Sequence, residues 1–232
     1  MQETNTLIIL AKYHRPGHVK TRLISMLGDV AANRISELFL VDLLRRFASI
    51  CSFRVIIAGA SRDTDDEFKS LLTKHHISST HIEMFFPRTG SMEKDILMSY
   101  SHILAGSKKA ILTGSDIPYL SVKMVNKMFA TLDKYDLVFH PNTDGGACPH
   151  GMKRVIDLFT GTNSRSKSYL QHWLEQIAKL GISYQMLMPI FDIDTFENLT
   201  MFYGWQLMIE HSGNLDMFCP ETMRFLKHLL GD

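Results

Sequence analysis

The stretch LIILA at residues 7–11 decides the fold, because it is a short apolar run with β-branched residues and polar neighbours. Such a run is typical of a buried parallel strand. A loop follows over residues 12–21, with Pro16-Gly17 as its turn signal. A long helical pattern then begins at Asp29. A strand, a loop and a helix in this order predict the first crossover unit of an α/β fold.

Strand and helix patterns alternate along the rest of the chain. The predicted strands cover residues 53–58, 81–86, 109–113, 136–140 and 182–188, and the predicted helices cover residues 64–74, 93–104, 121–132 and 166–180. The segment from Thr195 onward is mostly helical in pattern. Crossover connections place helices on both faces of a parallel sheet, so we predict an α/β fold with a mostly parallel, twisted sheet. The sequence has no repeat or linker, and residues 1–232 are expected to form a single domain.

The composition is that of an ordinary globular protein. The 232 residues are 45% hydrophobic, and 25 Lys and Arg residues nearly balance 24 Asp and Glu residues. This balance argues against nucleic acid or an anionic membrane as the main partner. Three widely spaced cysteines indicate neither a disulfide framework nor a zinc site, and residues 7–11 are too few for a signal peptide or a membrane span. We therefore expect a cytoplasmic protein with reduced thiols.

The loop after the first strand is basic. Its basic residues are Lys12, Arg15, Lys20 and Arg22. Gly17 between them allows a tight turn or the close approach of a ligand. Arg and Lys together suit a diphosphate, although the spacing is not that of a Walker A loop. The loop is therefore either a nucleotide-binding loop or a solvated basic loop.

Carboxylates follow two later strands. Asp116 comes directly after an apolar strand, where it is a candidate ligand of Mg²⁺ or Mn²⁺ or a simple turn cap. In an extended segment Asp192 and Asp194 project to the same side, and two like charges held together need a cation or several donors. The alternative is that Asp194 or Thr195 caps the helix that follows.

Two further features lie after the predicted strand at residues 136–140. Asp144, followed by Gly145 and Gly146, is placed to accept sugar hydroxyls, or else the segment is a plain turn between strands. Cys148 and His150 suggest a nucleophile pair only superficially, because nothing in the sequence is placed to orient the imidazole. We interpret that pair as incidental.

Four motifs in this order resemble those of the bacterial cofactor-biosynthesis-like glycosyltransferases, a branch of the GT-A nucleotide-diphospho-sugar transferase superfamily. The motifs are A-x-Y-x-x-P-G-x-V-K-T-R-L at residues 11–23, G-[S/T]-D-x-P at residues 114–118, P-x-x-D-G-G at residues 141–146 and D-x-D-T-x-E at residues 192–197. The resemblance covers residues 7–199. It implies a GT-A, Rossmann-like sheet with helices on both faces, and ligands at the carboxyl ends of the strands.

The resemblance also implies roles for individual residues. The basic loop, including Lys20 and Arg22, would hold the phosphates of a nucleotide. Asp116 would be a catalytic metal ligand, with Asp194 as a second ligand of Mg²⁺ or Mn²⁺. Asp144 would be a second catalytic carboxylate, and Gly145 and Gly146 would face the sugar or the acceptor. A metal there would neutralise the diphosphate leaving group.

Three functions are compatible with this pattern. The first is a metal-dependent glycosyltransferase that uses a nucleotide-sugar and a small acceptor. The second is a nucleotidyltransferase that releases pyrophosphate from a nucleoside triphosphate. The third is a catalytically silent nucleotide-binding protein, suggested by departures from the family pattern near residues 90–94, 147–150 and 164–166.

Overall fold

The computed structural model describes residues 4–60, 62–161 and 169–231. In these ranges the strands are β1 (Thr4–Ala11), β2 (Arg54–Gly59), β3 (Ile82–Phe85), β4 (Ser107–Gly114), β5 (Leu137–Pro141), β6 (Ala147–Met152) and β7 (Tyr184–Met186). The helices are α1 (Thr21–Phe47), α2 (Asp65–Lys74), α3 (Met92–Leu104), α4 (Val122–Thr131), α5 (Tyr169–Leu180), α6 (Phe196–Ser212) and α7 (Pro220–Leu230), with a 3₁₀ turn at Leu215–Met217.

The strands of the described ranges form one sheet in the order β3-β2-β1-β4-β6-β5-β7. Four of its strand pairs are parallel, namely β1 with β2, β1 with β4, β2 with β3 and β5 with β7. β6 runs antiparallel to both β4 and β5. The predicted α/β fold with a mostly parallel sheet is therefore confirmed.

Alternate residues of β1 enter two different cores. Leu7 and Ile9 pack into the core under α1, α6 and α7, whereas Ile8 packs into the core under α3 and α5. All three side chains are fully buried. Each such burial contributes about 1.5–3 kcal/mol to the free energy of unfolding. The run at residues 7–11 is uninterrupted because both faces of the strand are covered.

The first helix begins earlier than the sequence pattern predicts. It starts at Thr21 and is interrupted at Gly28, where φ is 77° and the dihedral angles leave the helical region, so that its long part follows from Asp29. Lys20, immediately before it, has φ 46° in the left-handed region. The long helix predicted from Asp29 is the part of α1 after Gly28, and the pattern missed only the short helical segment before it, whose apolar periodicity is weak. The turn of helix before Gly28 carries Arg22 toward the carboxyl edge of the sheet.

The largest error of the sequence prediction is β6, which the pattern assigned to a loop. The strand contains Pro149 and Gly151 and has no alternating apolar pattern. Gly151 is needed because a Cβ there would come within 2.9 Å of the Ile111 side chain on β4. The missing side chain at Gly151 thus leaves room for Ile111 where β6 pairs with β4. The predicted strand at residues 182–188 is shorter in the structure, at Tyr184–Met186.

The helix starts are explained by local capping. Thr64 and Glu67 form the predicted capping box of α2, and the Ser121 side chain accepts a hydrogen bond at the start of α4. The predicted start of α5 at Ser166, and the departure at residues 164–166, lie outside the described residues. No helix in the described ranges is both long enough and apolar enough to cross a membrane.

Candidate nucleotide and metal site

Three chain segments are joined at the carboxyl edge of β1 and β4. The Ser115 amide donates to the Leu10 carbonyl at 3.1 Å, and the Ile193 amide donates to the Asp116 carbonyl at 3.0 Å. The hydroxyl of Tyr119 donates to the Phe191 carbonyl and accepts from the Phe191 amide at 3.0 Å. Backbone hydrogen bonds thus hold the turn after β4 against the segment that precedes α6.

Asp116, Asp192 and Asp194 form an acidic cluster at this edge. Each offers a carboxylate oxygen, and the three oxygens lie within 4.8 Å of one another. All three side chains are half-buried. Thr195, and not Asp194, caps α6 by accepting a hydrogen bond from the Asn198 amide. Because Thr195 caps the helix, neither Asp192 nor Asp194 is needed as the cap, and both face Asp116.

The charges of this cluster are only partly balanced. Burial, reinforced by Asp116, Asp144 and Asp194, raises the pKa of Asp192 to about 6. Burial also raises the pKa of Asp116, where Lys20 opposes the shift and Asp194 adds to it. At Asp194 burial acts in the same direction, but the charges of Lys20 and Arg22 outweigh it and lower the pKa. A divalent cation would relieve the repulsion that remains.

Lys20 joins the basic loop to the acidic cluster. Its ammonium donates to Asp194 Oδ1 at 2.8 Å, and only 9% of its side chain is exposed. The guanidinium of Arg22 lies 3.8 Å from the other Asp194 oxygen and is 68% exposed. The left-handed backbone at Lys20 turns the chain so that both cations face the cluster. Both cations line the cavity, where they could bind an anion that enters beside the acidic cluster.

A cavity of about 570 Å³ opens in front of these groups. Its wall combines the ends of β1 and β4, the basic loop and the start of α3; the charged residues that line it are Lys12, Lys20, Arg22, Asp95, Asp116 and Asp194, with His18 beside them. The structure thus brings together the predicted residues Lys12, Lys20, Arg22, Asp116 and Asp194.

Asp144, Gly145 and Gly146 lie in the turn between β5 and β6. Asp144 Oδ1 accepts from the Gly146 amide at 2.8 Å, and Gly145 has φ 92°. The residues form a turn between strands, and they do not line the cavity. Asp144 nevertheless lies close enough to raise the pKa of Asp116 and of Asp192.

Arg15 does not face the cavity, contrary to the expectation that it binds a nucleotide. Its guanidinium donates to Asp63 Oδ1 at 2.6 Å and to both oxygens of Glu67 at 2.5 Å. Asp63 also accepts from the Tyr13 amide at 2.9 Å. Arg15 thus fastens the basic loop to the start of α2, and its charge is already neutralised by two carboxylates. Local sequence could not reveal this, because both partners are about fifty residues away.

Gly17 is also outside the cavity wall. Its amide donates to Asp29 Oδ1 at 2.5 Å, and its φ is 77°. The positive φ explains why glycine is favoured here. Gly17 therefore shapes the loop at its outer turn, and the part of the loop that lines the cavity is the later segment around Lys20.

Cys148 and His150 do not form a catalytic pair. The Cys148 sulfur accepts from the Gly114 amide at 3.2 Å, and burial raises the pKa of its thiol. The imidazole of His150 lies 2.7 Å from the Tyr100 hydroxyl, and burial lowers its pKa to about 3. A protonated thiol and a buried neutral imidazole lack the properties of an activated nucleophile.

Sequence reasoning missed three residues that shape the site. Asp192 was paired with Asp194 by its spacing, yet it was not assigned as a ligand. Tyr119 and Asp95 were not singled out at all. The carboxylate spacing was a usable signal for Asp192, whereas the hydroxyl of Tyr119 finds its partner 72 residues away. Asp95 is recognisable only from the cavity that it lines.

Solved structures share this fold. A proposed nucleotide-diphospho-sugar transferase from Desulfovibrio desulfuricans G20 superposes with a TM-score of 0.83 at 23% identity, over 97% of this chain and 94% of that one. A 4-diphosphocytidyl-2C-methyl-D-erythritol synthase from Anaerococcus prevotii DSM 20548 gives 0.59 at 12% identity, over 88% and 96%. A cytidylyltransferase from Leptospira borgpetersenii gives 0.54 at 10% identity, over 93% and 98%. At these identities the likeness concerns the fold.

The sequence itself matches a family of bacterial proteins. A comparison with curated proteins finds no match. The family model described as "Uncharacterized protein conserved in bacteria (DUF2064)" matches residues 48–164, just over half of the chain. The matched span includes Asp116 and Asp144 and ends before the D-x-D segment. The chain therefore belongs to the DUF2064 family and has the fold of the nucleotide-diphospho-sugar transferases.

Proposed function

We propose that this chain is a metal-dependent transferase that moves a sugar from a nucleotide-diphospho-sugar to a small hydroxyl-bearing acceptor. The observation that carries the proposal is a cluster of three carboxylates within 4.8 Å of one another, two of which, Asp116 and Asp194, line the same cavity as the cations of Lys20 and Arg22. Carboxylate oxygens suit a hard divalent cation, and the flanking cations suit phosphate oxygens. A nucleoside diphosphate is a ligand that satisfies both sets of groups at once.

The donor set fits Mg²⁺ or Mn²⁺. Asp116, Asp192 and Asp194 supply oxygen ligands only, from segments that backbone hydrogen bonds hold in register. Burial raises the pKa of Asp192, and the charges of Asp116, Asp144 and Asp194 add to the shift; a cation would balance those charges. When bound, the metal supplies positive charge that favours departure of the diphosphate.

The protein's own residues account for binding and orientation. Lys20 exchanges its contact with Asp194 for a phosphate oxygen, and Arg22, being largely exposed, swings onto the same group. Lys12 adds positive charge at the end of β1. Fixed charges of this kind stabilise the leaving diphosphate without reorganisation in the transition state.

Asp144 is the proposed acceptor carboxylate. The acceptor hydroxyl attacks the anomeric carbon, and the bond from that carbon to the diphosphate oxygen breaks with its electron pair on the diphosphate. The hydroxyl proton passes to the Asp144 carboxylate, whose Oδ1 is oriented by the Gly146 amide. A positioned carboxylate contributes about 10²–10⁴-fold in such proton transfers.

The test is product analysis by ³¹P NMR. The protein is incubated with Mn²⁺ and a panel of nucleotide-sugars and nucleoside triphosphates, with glycerol and simple sugars as acceptors. Release of a nucleoside diphosphate from a nucleotide-sugar, lost in Asp116→Ala and retained in the exposed Asp66→Ala variant, is the expected result. Release of pyrophosphate from a triphosphate would instead assign nucleotidyl transfer, and no turnover with any substrate would contradict the proposal.

A further inference from the structure

The cavity has a second wall with a different chemistry. Residues at the start of α3 line it, namely Gly90, Met92 and Asp95, and none of them is basic. The cations that suit phosphate lie on the basic loop, across the carboxyl edge of β1. Asp95 would repel a diphosphate placed beside it. If a nucleoside diphosphate occupies the cavity, its phosphates therefore face the basic loop and its base faces α3.

Asp95 is a buried carboxylate that is held in one orientation. It is 9% exposed, and its Oδ1 accepts from the Thr89 amide at 2.9 Å and from the Thr89 hydroxyl at 2.7 Å. Among the described residues none donates a hydrogen bond to Asp95 Oδ2, although Asp95 lines the cavity. Because Oδ1 is already occupied by Thr89, Oδ2 is the oxygen left to accept from a ligand in the cavity, and a donor placed there forms a charge-assisted hydrogen bond.

The surroundings of Asp95 suit a flat base. Met92 presents a flexible apolar side chain that is 45% exposed. Gly90 has φ 78°, and no atom lies within 4 Å of the position that a Cβ would take there. The wall therefore combines an open surface, an adaptable thioether and one hydrogen-bond acceptor.

We propose that Asp95 selects the base of the nucleotide through Oδ2, which favours a base with an exocyclic amino group over uracil. This inference rests on the proposed function. Adenine, cytosine and guanine each present an amino group that donates to a carboxylate. Uracil presents a single N–H between two carbonyl oxygens, which a carboxylate repels. Discrimination by a charged acceptor of this kind is worth about tenfold or more.

The test is calorimetric titration with ADP, CDP, GDP and UDP in the presence of Mn²⁺. For the wild-type protein, the best of the three amino-bearing diphosphates is expected to bind at least about tenfold more tightly than UDP. Asp95→Asn retains the acceptor for Thr89 and replaces Oδ2 by an amide donor, which matches a uracil carbonyl. We expect this variant to reduce the ratio below about threefold, while the exposed Asp66→Asn leaves it unchanged.

The outcomes separate this inference from the proposed function. Preference of the wild-type protein for UDP, or an unchanged ratio in a folded Asp95→Asn variant, would overturn the role of Asp95 while metal-dependent binding still stands. Failure of all four diphosphates to bind would overturn the proposed function and this inference with it. Thermal melting of Asp95→Asn checks the fold, and the wild-type ratio tests the inference even if that variant is unstable.

Discussion

The acidic cluster of Asp116, Asp192 and Asp194 contrasts with the surroundings of Glu37 on α1. At Glu37 a single buried carboxylate contacts four groups: Lys74 at 2.6 Å, His75 at 2.7 Å, Arg34 at 2.6 Å and His14 at 3.8 Å. At the sheet edge three carboxylates share mainly Lys20 and Arg22. One site has surplus donors for its single carboxylate, and the other has surplus negative charge.

The pKa values of the two regions shift in opposite directions. At Glu37 the cost of burial is outweighed by hydrogen bonds from His75, Lys74 and Arg34, and the pKa falls to about 2. Burial and neighbouring carboxylates raise that of Asp192 to about 6. The Glu37 carboxylate is thus balanced by the protein's own groups, whereas the acidic cluster would need a cation to balance its charge. Unbalanced charge in a cavity is therefore the better indicator of function.

The largest expected effect is on metal-dependent binding. Asp116→Ala should weaken Mn²⁺-dependent binding of a nucleoside diphosphate by at least about a hundredfold, on the order of 3 kcal/mol, because it removes one of the three carboxylates proposed to hold the metal. Calorimetric titration measures the change. Asp66→Ala is the control on an exposed carboxylate of α2. Full retention of Mn²⁺-dependent binding in a folded Asp116→Ala variant would show that Asp116 does not hold the metal. The acidic cluster would then differ from the Glu37 region in charge but not in function.

Glu37→Gln should lower the free energy of unfolding by about 2–3 kcal/mol. Breaking a buried ion pair costs about 3–5 kcal/mol, and we discount this because Lys74 and Arg34 are 57% and 36% exposed. Urea denaturation at pH 7 measures the change. Since the pKa of Glu37 is lowered on folding, the loss should persist above about pH 4.5 and diminish as the pH falls toward 2. An unchanged midpoint at pH 7 would show that the cluster is not structural.

Asp192→Asn, unlike Glu37→Gln, should raise the free energy of unfolding. Its carboxyl has a pKa raised to about 6, so ionisation at pH 7 disfavours the folded state without metal, and the amide should stabilise it by about 1–2 kcal/mol. The gain should decrease as the pH falls below about 6 and vanish by about pH 3, where the wild-type carboxyl is protonated in both states. Denaturation in EDTA across this pH range provides the measurement. Destabilisation at pH 7 would mean that Asp192 is already satisfied by the protein.

The smallest expected effect distinguishes two residues of the basic loop. Arg15→Met should weaken nucleoside diphosphate binding by no more than about threefold, because Asp63 and Glu67 already neutralise its guanidinium. Lys20→Met should weaken it by more than about tenfold, since it removes a cation beside the acidic cluster. Titration of the two variants in parallel tests the difference. Equal losses of affinity would mean that Arg15 also contributes to phosphate binding.

The sequence predicted those parts of the molecule that depend on local pattern. The apolar run at residues 7–11, the capping box of α2 and the carboxylates after the strands are properties of short segments, and these predictions of structure are confirmed. β6 was missed because its place in the sheet depends on contact with β4 rather than on its own periodicity. The partners of Arg15 and Tyr119 were missed because each contact spans about fifty residues or more.

The central claim is that a divalent cation and a nucleoside diphosphate bind together at the acidic edge. The most direct measurement is titration of the wild-type protein with Mn²⁺, followed by electron paramagnetic resonance, with and without a panel of nucleoside diphosphates. We predict that at least one diphosphate tightens Mn²⁺ binding by about tenfold or more, and that Mn²⁺ tightens that diphosphate equally. Mn²⁺ binding that no diphosphate changes, or no Mn²⁺ binding at all, would contradict the account.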